Sequence, residues 1–138
     1  MSPRSSGRRC PHAAGRTKLR LHHVQLTHPR GGEATARRFY GELLGLVELA
    51  KPAELEGRGG VWFQAGDVQL HFGVEDLSPP SRRHIALEVE DLEAVRRRLE
   101  ADGRPIESAV PLKDMDRFYT QDPFGACIEL LSLQTACG

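Results

Sequence analysis

His23, Gln69, His84 and Glu129 are residue types that ligate metals, and they occur in two matching pairs. Leu21-His22-His23-Val24-Gln25-Leu26 is echoed by Arg82-Arg83-His84-Ile85-Ala86-Leu87, and Val68-Gln69-Leu70 by Ile128-Glu129-Leu130. The first pair is 46 residues apart and the second 45, so the chain reads as two copies of one unit, each supplying two donors. Two imidazoles, a carboxylate and an amide oxygen suit one borderline divalent ion such as Zn, Ni, Fe, Co or Mn and leave positions open for substrate or water. His23, His84 and Glu129 alone have the composition of a facial two-histidine, one-carboxylate site, with Gln69 as a weaker fourth ligand. His71 shares the Gln69 face of its strand by alternation, so it is a candidate replacement ligand or a candidate acid/base.

A single histidine in a strand is more often a hydrogen-bonded structural residue, and that reading is assigned to His12, His22 and His28, which lack a counterpart in the other half. The internal echo sets His23, His84 and Glu129 apart. The elements that must carry them follow from periodicity. Residues 20 to 27 alternate as a strand, with Leu21, His23 and Gln25 on one face and His22, Val24 and Leu26 on the other. Ala36, Phe39, Tyr40, Leu43 and Leu44 form the apolar stripe of a helix closed by Gly45. A short strand at Leu46 to Leu49, a polar loop from Lys51 to Gly60 and a hairpin around Ala65-Gly66-Asp67 complete a β-α-β-β-β order. Only one of Trp62 and Phe63 can face the candidate site.

The second half repeats the plan beyond a linker at Leu77 to Arg83. A strand from 84 to 89 leads to a helix over Leu92 to Ala101, capped by Asp91 and stopped by Gly103. A short strand near Pro105 to Ser108 precedes a hairpin whose Asp122-Pro123-Phe124-Gly125 turn joins residues 117–120 to residues 127–131. The expected fold class is α+β: two βαβββ modules, 20–76 and 83–133, forming an open barrel-like mixed sheet around a metal or ligand cup.

The chain has 138 residues, 39% apolar and 28% charged, which suits one globular domain spanning 20–133. Residues 1–19 read as a disordered basic arm and 134–138 as a tail. Arg4, Arg8, Arg9, Arg16, Lys18 and Arg20 give the first twenty residues a charge of +6, leaving −6 on the remainder of a chain with zero net charge. The arm has no interleaved aromatics and no apolar core of a secretory signal, and no apolar run approaches membrane-spanning length. Neither nucleic acid nor membrane is expected as a partner. Cys10, Cys127 and Cys137 make no CxxC pair, which points to a reducing cytoplasm, with Cys127 a buried small apolar residue.

The pattern His23-Val-x-Leu, then Phe39-Tyr40-x-x-Leu43-Leu44-Gly45-Leu46, then His84-Ile-Ala-Leu-x-Val-x-Asp91-Leu92, then Phe118-Tyr119-x-x-Asp122-Pro123-x-Gly125-x-x-x-Glu129-Leu130 resembles the vicinal oxygen chelate superfamily. That group includes glyoxalase I, bleomycin and fosfomycin resistance proteins, methylmalonyl-CoA epimerase and extradiol dioxygenases. The resemblance implies a metal held by His23, Gln69, His84 and Glu129, a small oxygenated substrate chelated through vicinal oxygens, and a homodimer. It implies isomerase, lyase or epimerase chemistry, with Glu129, His71 and Tyr119 as the candidate reacting groups. Glyoxalase I generally carries Glu where this chain has Gln69, so simple glyoxalase I chemistry is not expected unless His71 or Glu129 supplies the base. Two alternatives accompany this reading: a non-catalytic drug-binding or resistance module of the same fold, and an extradiol-type dioxygenase, in which Tyr119 has a counterpart. Arg117 is either a cation for an anionic substrate or a surface charge.

Overall fold

A computed structural model describes residues 19–134. The basic arm and Cys10, His12 and Cys137 lie outside the described residues. Two modules follow one another with the same element order. In the first, β1 (His23–His28) leads to helix α1 (Glu33–Ala36), which continues as a π-helical stretch (Arg37–Leu43). Then come β2 (Val47–Leu49), a 3-10 stretch (Ala53–Arg58), β3 (Trp62–Ala65) and β4 (Val68–Val74). In the second, β5 (His84–Glu88), α2 (Leu92–Ala101), β6 (Glu107–Ser108), β7 (Met115–Gln121) and β8 (Cys127–Leu133) repeat the pattern. Each module folds into a four-stranded mixed sheet, in the orders β1-β4-β3-β2 and β5-β8-β7-β6, with the first and last strands of each module parallel. Neither sheet closes into a barrel.

The strands take these faces because every second residue is apolar. Val24 and Leu26 of β1 and Ile85 and Leu87 of β5 pack against a core built from both modules, including Phe39, Tyr40, Phe63, Phe72, Phe118 and Leu130. The helical stripe is read correctly from the sequence, but the helix widens after Ala36, with Leu44 N bonded to Phe39 O at 3.0 Å. A wider turn brings the adjacent rings of Phe39 and Tyr40 closer to one line, and both are fully buried. The 3-10 stretch inside the expected 51–60 loop carries no buried residue, so no apolar periodicity announces it. Asp91 caps α2 as expected, its Oδ1 accepting from Ala94 N at 3.0 Å.

The modules meet through their helical sides. Arg98 Nε donates to Leu43 O at 2.9 Å, Arg38 Nη2 donates to Asp102 Oδ1 at 2.9 Å, and the buried Tyr40 hydroxyl donates to Asp122 Oδ2 at 2.6 Å. The opposite faces of the two sheets, which carry His23 and His84, are therefore turned away from the shared core.

Candidate functional site

The first open face is built by β1, β4 and β3. His23 and Gln25 point there from β1, Gln69 and His71 from β4, and Trp62 from β3. Phe63, one residue on from Trp62, goes to the core instead. Trp62, His71 and His23 form a continuous stack: Trp62 and His71 are parallel at 3.6 Å, and His71 and His23 lie 4.0 Å apart at 13°. His71 Nε2–H donates to Gln69 Oε1 at 2.8 Å, which orients the amide and still leaves the oxygen a free lone pair. His71 is 6% exposed. Burial lowers its pKa, and the neighbouring His23 and His22 push it the same way, so the ring is held neutral at physiological pH. His22, read as structural, has its Nδ1 3.0 Å from His23 Nδ1.

The second open face is built by β5, β8 and β7. His84 Nε2 lies 3.0 Å from Glu129 Oε1, and His84 Nδ1 lies 3.2 Å from Arg82 O. Tyr119 is directly opposite Glu129 in the β7–β8 ladder and meets the His84 ring edge-on at 5.5 Å. Arg117 reaches over the same strand pair: Nη1 donates to Tyr119 Oη at 3.0 Å and to Glu129 Oε2 at 3.2 Å. Its side chain is 12% exposed, which overturns the surface-charge reading. Cys127 is corrected as well. It is half-buried on the open face as the β-ladder partner of His84, and its thiol pKa is raised by desolvation and then by Glu107 and Glu129.

The four expected ligands thus form two pairs on two sheets. Among the described residues, no three His, Cys, Asp or Glu side chains of one chain are arranged to hold a metal ion. The second pair nevertheless has the spacing of two ligands to one ion. Two ligands at right angles around an ion with bonds of ~2.1 Å stand about 3 Å apart, which is the separation of His84 Nε2 and Glu129 Oε1. The Arg82 carbonyl holds Nδ1–H and aims Nε2 at the open face, the outer-shell support that metal-bound imidazoles usually have.

The family model for the glyoxalase/bleomycin resistance protein/dioxygenase superfamily matches residues 20–130. The chain belongs to this superfamily. Among solved structures, a glyoxalase family protein from Bacillus anthracis is 38% identical, with a TM-score of 0.79 over 87% of this chain and 100% of that one. A glyoxalase/dioxygenase from Nostoc punctiforme (21% identity, TM-score 0.69, 84% of this chain and 92% of that one) shares the fold. So does the genomically encoded fosfomycin resistance protein FosX of Listeria monocytogenes (17% identity, TM-score 0.68, 84% and 94%). Comparison with curated proteins gave no match. For this glyoxalase-superfamily chain, the two-module α+β architecture expected from the internal echo is the one observed. Among the described residues, no helix is long and apolar enough to cross a membrane.

Proposed function

We propose that this protein is a metal-dependent enzyme of the glyoxalase kind that works as a homodimer. In this reading His84 and Glu129 of one copy and His23 and Gln69 of a second copy would together hold one divalent ion. The observation that carries it is that His23 and Gln69 lie on one sheet and His84 and Glu129 on the other, with no three ligating side chains brought together among the described residues. Exposed apolar residues flank both open faces: Leu21 just before β1, Leu133 at the end of β8, and Val110 and Leu112 in the segment between β6 and β7. Such residues favour burial against another copy.

When bound, the ion supplies a Lewis acid that holds two substrate oxygens and draws charge from a carbonyl. The protein's own groups do the rest. His71, kept neutral by burial and with its Nε2–H held by Gln69, has Nδ1 as the nitrogen that would accept a proton from a carbon or hydroxyl of the substrate. This answers the objection that Gln69 is not a carboxylate, since the base stands beside the amide. Tyr119, next to Glu129 and His84, can donate a hydrogen bond to a substrate oxygen, and Trp62 walls the first face. The substrate is a small oxygenated molecule, and the reaction an isomerisation, epimerisation or lyase step.

The test is metal analysis and sedimentation of protein purified without chelator. One divalent ion per half-site pair and a dimer are expected, with metal lost in both Glu129→Ala and His23→Ala. A monomer that takes up no metal refutes the reading, and so does a His23→Ala variant that binds metal like the wild type.

A further inference from the structure

A cavity of about 340 Å³ opens where the helical sides of the two modules meet, and none of its walls comes from an open face. Thr35, Arg38 and Phe39 line it from the first module, and Asp102, Arg104 and Pro123 from the second. Two guanidinium groups there converge on one carboxylate. Arg38 Nη2 donates to Asp102 Oδ1 at 2.9 Å, whereas Arg104 Nε stands 3.8 Å from Asp102 Oδ2, too far for a hydrogen bond. Arg104 is the poorly served partner. Its Nε–H is buried without an acceptor, its Nη1 reaches only Gln121 O at 3.4 Å, and no acceptor among the described residues meets its Nη2.

A guanidinium carries five N–H donors and does not lose its proton, so a site that takes it out of water has to offer acceptors. The neighbouring oxygens are already engaged. Glu42 Oε1 accepts from Arg38 Nη1 at 2.6 Å on the solvent side, and Asp122, next to Pro123, accepts from Tyr40, Phe124 N and Ala126 N. The last carbonyls of α2, a natural partner for cations, accept from the backbone of Asp102, Gly103 and Arg104. Arg98, whose Nε donates to Leu43 O in the cavity wall, adds a third positive charge with no ion pair among the described residues. We infer that this seam is an oxyanion site, independent of the metal reading above, which takes a phosphoryl group between Arg38 and Arg104 with the Thr35 hydroxyl as a further donor. Donors arriving from three segments of chain suit a tetrahedral group with three free oxygens better than a planar carboxylate with two. The bound group gives Arg104 the acceptors it lacks and ties the first module to the second.

The experiment titrates inorganic phosphate and glycerol 3-phosphate into the full chain by calorimetry at constant ionic strength, with acetate as the planar control. Saturable binding of a phosphate is expected, and the tighter of the two tells whether the group is free or esterified. Arg104→Gln and Arg38→Gln each remove a charge-assisted hydrogen bond and are expected to weaken binding by roughly 10- to 100-fold. Arg97→Gln, an equal loss of charge at an exposed position of α2, is expected to leave it unchanged. Arg38→Gln carries the test if Arg104→Gln does not fold. Wild-type affinity for both phosphates weaker than about 10 mM overturns the site, as do Arg104→Gln and Arg38→Gln affinities within about threefold of wild type. Acetate bound as tightly as phosphate overturns the assignment of the phosphoryl group.

Discussion

Replacing Tyr40 with phenylalanine tests what holds the two modules together. Tyr40 is fully buried, and its hydroxyl donates at 2.6 Å to Asp122 Oδ2 in the β7–β8 turn of the other module. Asp122 is 3% exposed, and its other oxygen already accepts from Phe124 N at 2.9 Å and Ala126 N at 2.8 Å. Tyr40→Phe keeps the ring and opens no cavity, but it leaves one carboxylate oxygen buried without a donor. A hydrogen bond to a charged group is worth about 1.5–3 kcal/mol net, so we expect a loss of about 2 kcal/mol. That corresponds to a fall in Tm of roughly 5–12 °C for a domain of this size. Burial raises the Tyr40 pKa well above that of an ordinary phenol, with the Asp122 charge adding to it, so the loss should be the same at pH 7 and pH 9. The assay is guanidinium denaturation followed by Trp62 fluorescence at matched protein concentration, with Asp122→Asn and the double variant closing a thermodynamic cycle. A Tyr40→Phe variant within about 0.5 kcal/mol of wild type, or a cycle with no coupling, would refute the idea that this bond locks the modules.

Three further outcomes are expected. His71 has a depressed pKa in the fold, so the unfolded chain binds more protons. Stability should therefore fall as pH drops below the unfolded value of ~6.5, and His71→Gln should flatten that slope in denaturation curves from pH 5 to 8. Gly60 has φ +92°, and a Cβ there would collide with the Phe72 carbonyl, so Gly60→Ala should cost more than about 2 kcal/mol in the same assay. Asp91→Ala, which removes the α2 cap, should cost about 1 kcal/mol, and an unchanged midpoint would argue against the capping bond.

The internal echo made the fold legible because period-2 alternation and turn residues are local properties. The α2 boundaries, the Asp91 cap, the two hairpins and the assignment of Phe63 or Trp62 to opposite faces all follow from the residues themselves. The surroundings of Cys127 and Arg117 were not legible, for a common reason. Whether such a side chain is buried, paired or exposed depends on neighbours from other strands: His84 beside Cys127 and Glu129 beside Arg117. The π-helical widening was equally invisible, since the same stripe of Ala36, Phe39, Tyr40, Leu43 and Leu44 serves either helix.

The sequence by itself determined which residues share a face, because a strand's side chains alternate whatever surrounds it. Tertiary structure alone decided the register between parallel strands. His23 is paired with Gln69, whereas His84 is paired with Cys127, a shift of two residues relative to the sequence echo. A two-residue shift keeps every side chain on its face, so no hydrophobic pattern records it. Its consequence is that each first-strand histidine touches the residue two beyond its partner: His23 stacks on His71, and His84 meets Glu129. Packing of the two modules then decided that both pairs lie on the sheet faces turned from the core, since the shared apolar core can be buried only between the modules.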